Sequence, residues 1–183
     1  MMRVPAFFAA LLFPAIAFAQ PPAKVDIAAG ETVTLRIAGD GAATIDSRKP
    51  AGPLPEMDAA FMGQAKTAAI VPGVKSQPAI AANSSKAPPP VAPGAVRISL
   101  RLVQPPISKS PTGDMLLTIE NGYDGALRYK AVMHRGDRAA PTDVCIVIPL
   151  KRGYEHWPYP FDRIELSNFS LVPWHAGDNI SCE

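Results

Sequence analysis

The residues with the most evident chemistry in this 183-residue sequence are two cysteines and three histidines. Cys145 and Cys182 form an isolated pair without the C-x-x-C spacing of a redox or metal motif. In an oxidising compartment such a pair is expected to close a structural disulfide. The loop of about 38 residues would contribute roughly 4 kcal/mol through chain entropy. The histidines, His134, His156 and His175, show none of the spacings H-E-x-x-H or H-x-H, so they read as solvated or packing residues and no metal ligand is assigned. A copper set of Met133, His134 and one further histidine is the alternative, since thioether and imidazole suit that metal.

Catalytic patterns are missing as well. There is no G-x-S-x-G and no S-x-x-K, and the glycines form no phosphate-cradling run. Ser167 and Ser170 lack an evident base, and Asp162 and Glu165 read as solvated charges beside a strand. No catalytic residue and no cofactor are therefore expected. The most distinctive feature is aromatic: residues 154–161 hold Tyr154, Trp157, Tyr159 and Phe161 with Pro158 and Pro160, in a chain only 7% aromatic. Trp174 follows the next expected strand. Two prolines oppose ladder pairing, so 154–161 reads as a stiff loop. Its rings either plug one end of a core or, as Tyr154, Trp157, Tyr159 and Trp174, form a surface for a glycan or a partner protein.

Elements that would carry these residues can be read from periodicity. Alternating segments at 24–27, 32–37, 96–103, 114–120, 126–134 and 163–172 have the two-residue period of strands. In 96–103, aliphatic Val96, Ile98 and Leu100 alternate with Arg97, Ser99 and Arg101. Asn121-Gly122-Tyr123-Asp124-Gly125 is a turn closing a hairpin. The apolar run 142–148 around Cys145 reads as a central strand, a short strand is expected around Cys182, and alternation slips by one at Asn168. These signals predict an all-β, antiparallel β-sandwich of seven to eight strands, immunoglobulin-like in architecture.

Residues 20–47 supply N-terminal strands of the sandwich and 95–183 its main region. Between them, 48–94 holds nine prolines and many alanines, and reads as a linker or insertion with at most one or two helical turns within 56–70. Residues 87–93 read as polyproline II.

The N-terminus addresses location. Arg3, an uncharged apolar stretch and Ala17-Phe18-Ala19 make residues 1–19 a secretory signal, cleaved near Ala19 and Gln20. The apolar run, about 15 residues with two prolines in it, is short of the ~20 a spanning helix needs, and no later run would span a membrane. A periplasmic or secreted protein is expected. Without Arg3 the 18 basic residues become 17 against 16 acidic, a formal charge of +1; no basic block points to nucleic acid or anionic lipid. The resulting expectation is an exported, non-catalytic module that binds an unknown envelope protein or glycan. A metal carrier or hydrolase built on the histidines is the remaining alternative.

Overall fold

A computed structural model describes residues 24–68, 89–105, 107–108 and 110–182, with the backbone alone for 64–68. The expected leader, and the proline- and alanine-rich residues 69–88, lie outside the described residues. The chain forms two antiparallel sheets packed face to face. In chain order the elements are β1 (Val25–Ala28), β2 (Glu31–Ile37), β3 (Ala43–Pro50), α1 (Glu56–Ala68), β4 (Val96–Val103), β5 (Asp114–Asn121), β6 (Ala126–Arg135), β7 (Arg138–Thr142), β8 (Arg152–Trp157) and β9 (Arg163–Val172). One sheet has the order β1-β9-β6-β7, the other β3-β2-β4-β5-β8. The expected all-β sandwich is thus present, with nine strands among the described residues instead of seven or eight.

Two-residue alternation sets which side chains enter the core. Val33, Leu35 and Ile37 from β2, Val96, Ile98 and Leu100 from β4, and Met115, Leu117 and Ile119 from β5 meet Ile164, Leu166 and Leu127 of the other sheet. Near Asn168, whose φ is 53°, the β6–β9 register shifts between Arg128 and Lys130. This bulge lies where the sequence alternation slips, and it returns Phe169 to the core.

Three stretches differ from the sequence expectation. The run 142–148 is not a central strand: Thr142 ends β7 and 143–148 is irregular, with single bridges pairing Val147 to Leu127 and Cys145 to Cys182. Its backbone is satisfied from elsewhere, because the buried Asn121 amide donates to the Val147 carbonyl at 3.0 Å and Glu155 Oε1 accepts from Cys145 N–H at 2.6 Å. Residues 154–157, expected in a loop, belong to β8, which pairs with β5 along its whole length. β8 is an edge strand, so Pro158 and Pro160 just beyond it break no ladder. Gly153 in β8 is required by packing, since a Cβ there would lie 2.8 Å from Val147 Cγ2.

The third difference is α1. It runs through thirteen residues of the stretch read as a linker, and β3 extends beyond residue 47 into the same stretch. Glu56 and Asp58 in the first turn suit the positive end of the helix dipole. Phe61 and Met62 are buried on the outer face of the five-stranded sheet, against Val103 and Leu116. No helix among the described residues is long and apolar enough to cross a membrane.

Candidate functional site

The outer face of the five-stranded sheet carries the side chains that alternate with the core residues: Arg97, Ser99 and Arg101 from β4, Thr118 and Glu120 from β5, Arg152 and Tyr154 from β8. Helix α1 covers one part of this face with apolar side chains. Beside that cover lies a groove of about 250 Å³, walled by Pro53, Pro55 and Pro89 and floored by these polar residues other than Tyr154.

Asp58 of α1 organises the floor. Its carboxylate is almost fully buried. Arg152 Nη1 donates to Oδ1 at 2.5 Å, the Tyr154 hydroxyl donates to the same oxygen at 3.2 Å, and Thr118 Oγ1 donates to Oδ2 at 3.4 Å. Arg101 Nη1 is 3.7 Å from Oδ2. Glu120 is the second anion, accepting from Arg97 Nη1 at 3.2 Å and pairing with Arg152 Nη2 at 2.9 Å. Buried charges require such pairing, because desolvation of each ion costs several kcal/mol.

Within this network the guanidinium groups are not equivalent. Burial lowers the pKa of Arg152, but Asp58 and Glu120 outweigh that effect and raise it above its ordinary value. For Arg101 burial dominates the attraction of Asp58 and lowers the pKa. Arg101 Nη2 donates to the Ala51 carbonyl at 2.7 Å, whereas its Nε is buried with no hydrogen-bond partner among the described residues. Arg97 reaches out of the floor to the carbonyls of Pro89 and Pro90 at 2.8 and 3.4 Å, tying the proline segment to the groove rim. The Tyr154 phenol is raised above its ordinary pKa by burial first and by Asp58 second, and stays a neutral donor. Three guanidinium groups and Lys49 line a groove that holds two carboxylates, Asp58 and Glu120. The groove therefore carries a surplus of positive charge, suited to an anionic group.

The aromatic residues singled out by sequence do not form one platform. Tyr154 faces outward and stacks on Phe61 of α1, with ring centroids 4.3 Å apart. Trp157, three residues on, faces the interior: it is 7% exposed, packs edge-on to Phe161 at 5.3 Å and donates from Nε1 to Thr142 Oγ1 at 2.9 Å. Tyr159 is 41% exposed on the loop after β8, and Trp174 is half-buried beyond β9. Of the two readings, a core plug accounts for Trp157 and Phe161.

Cys145 and Cys182 are bonded, with sulfur atoms 2.00 Å apart, and tie the C-terminal residues to the segment after β7. The histidines are dispersed. His134 lies on the outer face of the four-stranded sheet, His156 pairs with Asp114 at 3.1 Å on the five-stranded sheet, and exposed His175 lies near Asp178. Met133 packs against the core while its neighbour His134 faces outward, so the two cannot ligate one ion together. Glu165, read as a solvated charge, is half-buried and paired with Lys24 at 2.8 Å.

Sequence reading missed Asp58, Glu120 and Arg152 as partners. The usable signal was the alternation of Arg97, Ser99 and Arg101, which marks the polar face of a strand without naming what covers it. Comparison with protein families, with curated proteins and with solved structures found no match to this chain.

Proposed function

We propose that this chain is an exported, non-catalytic β-sandwich that binds an anionic component of the cell envelope in the groove beside α1. The observation carrying the reading is the charge surplus in that groove, with Arg101 Nε buried at its floor and without a hydrogen-bond partner among the described residues. A carboxylate or phosphate reaching the groove would gain charge-assisted hydrogen bonds from guanidinium groups already held in place, so little ordering entropy is lost on binding. Export is supported by the leader pattern of residues 1–19 and by the bonded pair Cys145 and Cys182.

Sedimentation with isolated peptidoglycan, whose stem peptides present carboxylates, tests the reading. The wild-type protein is expected to co-sediment, and Arg101→Gln and 0.5 M salt are each expected to reduce the bound fraction roughly fivefold. Binding that persists in Arg101→Gln but is lost in Tyr159→Ala would move the site to the aromatic loop and overturn the proposal. Failure of the wild-type protein to sediment would overturn it too.

A further inference from the structure

The outer face of the other sheet gathers a second group of side chains. Asp26 on β1 and Glu165 on β9 lie directly opposite each other on adjacent strands, as register partners. On the far side of β9, Val132 of β6 is opposite Glu165 and His134 is opposite Arg163. Three neighbouring strands thus present an aspartate, a glutamate and an imidazole together. One donor atom from each of Asp26, His134 and Glu165 lies within 4.8 Å of the other two.

The imidazole is the informative member. His134 Nε2 is shut off from solvent and has no hydrogen-bond partner among the described residues, although two carboxylates are close. A buried polar atom left without a partner costs desolvation energy and calls for an explanation. The carboxylates are engaged on other sides: Asp26 contacts Arg163 Nη1, and Glu165 Oε1 is 2.8 Å from Lys24 Nζ. Each ionised carboxylate keeps further lone pairs. The two cations are 42% and 60% exposed, so both can withdraw into water.

We propose that Asp26, His134 and Glu165 form a binding site for a divalent transition-metal ion of the zinc class. The donor set selects the ion. Imidazole nitrogen favours zinc, copper and nickel over magnesium and calcium, and calcium wants six to eight oxygens that this face does not gather. Zinc bonds of about 2.0–2.2 Å require the donors to draw together by about an ångström. Small rotations of the three side chains, the widest open to exposed Asp26, would supply that closure, while His134 and Glu165 stay on central strands of the sheet. Three protein ligands on an open face leave the fourth position to solvent. The metal's charge would replace Lys24 and Arg163 as the partner of the two carboxylates, and its bond to Nε2 would satisfy the orphaned nitrogen.

Calorimetric titration of the purified, chelator-treated protein with zinc tests the site. One equivalent is expected to bind. His134→Ala and Asp26→Asn are each expected to weaken binding roughly tenfold or more, a loss at least as large as second-shell changes produce. His175→Ala and His156→Ala, which alter the other histidine–carboxylate pairs, are expected to leave it unchanged. Asp26 is exposed, so Asp26→Asn should keep the circular dichroism spectrum of the wild-type protein and separates ligation from folding. Absence of saturable zinc uptake, or uptake that survives both His134→Ala and Asp26→Asn, overturns the proposal.

Discussion

Asp58 and Glu155 are both acidic side chains set against the five-stranded sheet, and their partners give them opposite roles. Asp58 is buried among cations and hydroxyl donors that compensate its charge. Removing one member of such a network leaves the others desolvated without a counter-charge, so Asp58→Ala should destabilise by about 3–5 kcal/mol. Urea denaturation would measure it, and a loss below 1 kcal/mol would show that Arg101 and Arg152 find other partners. Glu155 pairs with no cation among the described residues. Burial pushes its carboxyl up to about 7; the Cys145 N–H opposes this and Asp143 adds to it. In the unfolded chain the same carboxyl titrates near 4.5. Between those values the folded state binds more protons than the unfolded state, so this group's contribution to stability falls as pH rises from about 4.5 to 7, by roughly 3 kcal/mol. Glu155→Gln keeps an acceptor for Cys145 N–H and removes the ionisation. Thermal melts should show the variant gaining on the wild-type protein from pH 5 to pH 8, with little difference at pH 5; a difference independent of pH would refute the assignment.

Among the elements, helix α1 decides whether the groove exists, because it carries Asp58 to the sheet and buries Phe61 and Met62 there. Met62→Ala should cost about 3 kcal/mol, from lost transfer energy and the cavity left behind. The same change should speed hydrogen exchange in α1 more than in β4 and β5. Equal acceleration throughout would mean that helix and sheet open as one unit. This helix also marks where sequence reading stops. Strands β4, β5, β6 and β9 were legible because their alternation encodes one buried face, and even the bulge at Asn168 left its mark as a slipped alternation. For α1 the local signal is weak: it is rich in alanine, has Gly63 within it and shows a small apolar face. What stabilises it is the patch formed by Val103 and Leu116, which exists only after β4 and β5 have paired. The edge strand β8 was hidden by prolines lying just beyond its end. The run 142–148 misled in the other direction, being as apolar as a strand but bonded through Asn121 and Glu155 side chains. The groove charges come from α1, β4, β5 and β8, so no local window could display them together.

For the whole molecule, the question is how far the Cys145–Cys182 bond holds the sandwich together. The shared core draws its buried residues from both sheets, and no described residue beyond Leu171 contributes to it. The final residues are attached mainly through the disulfide and through Ile146 N–H donating to the Ser181 carbonyl at 2.9 Å. The bond therefore acts chiefly on the unfolded chain, where a closure spanning 37 residues removes entropy equivalent to about 4 kcal/mol. Cys145→Ser should lower stability by about 2–4 kcal/mol while the far-ultraviolet circular dichroism of the sheets is retained. Hydrogen exchange should then rise in the residues after β9 and in 143–147, with the strands protected until global unfolding. If removing the bond instead melted the sheets under native conditions, the interlocked core of β2, β4, β5, β6 and β9 would not be self-sufficient, and the covalent link would be part of the fold itself.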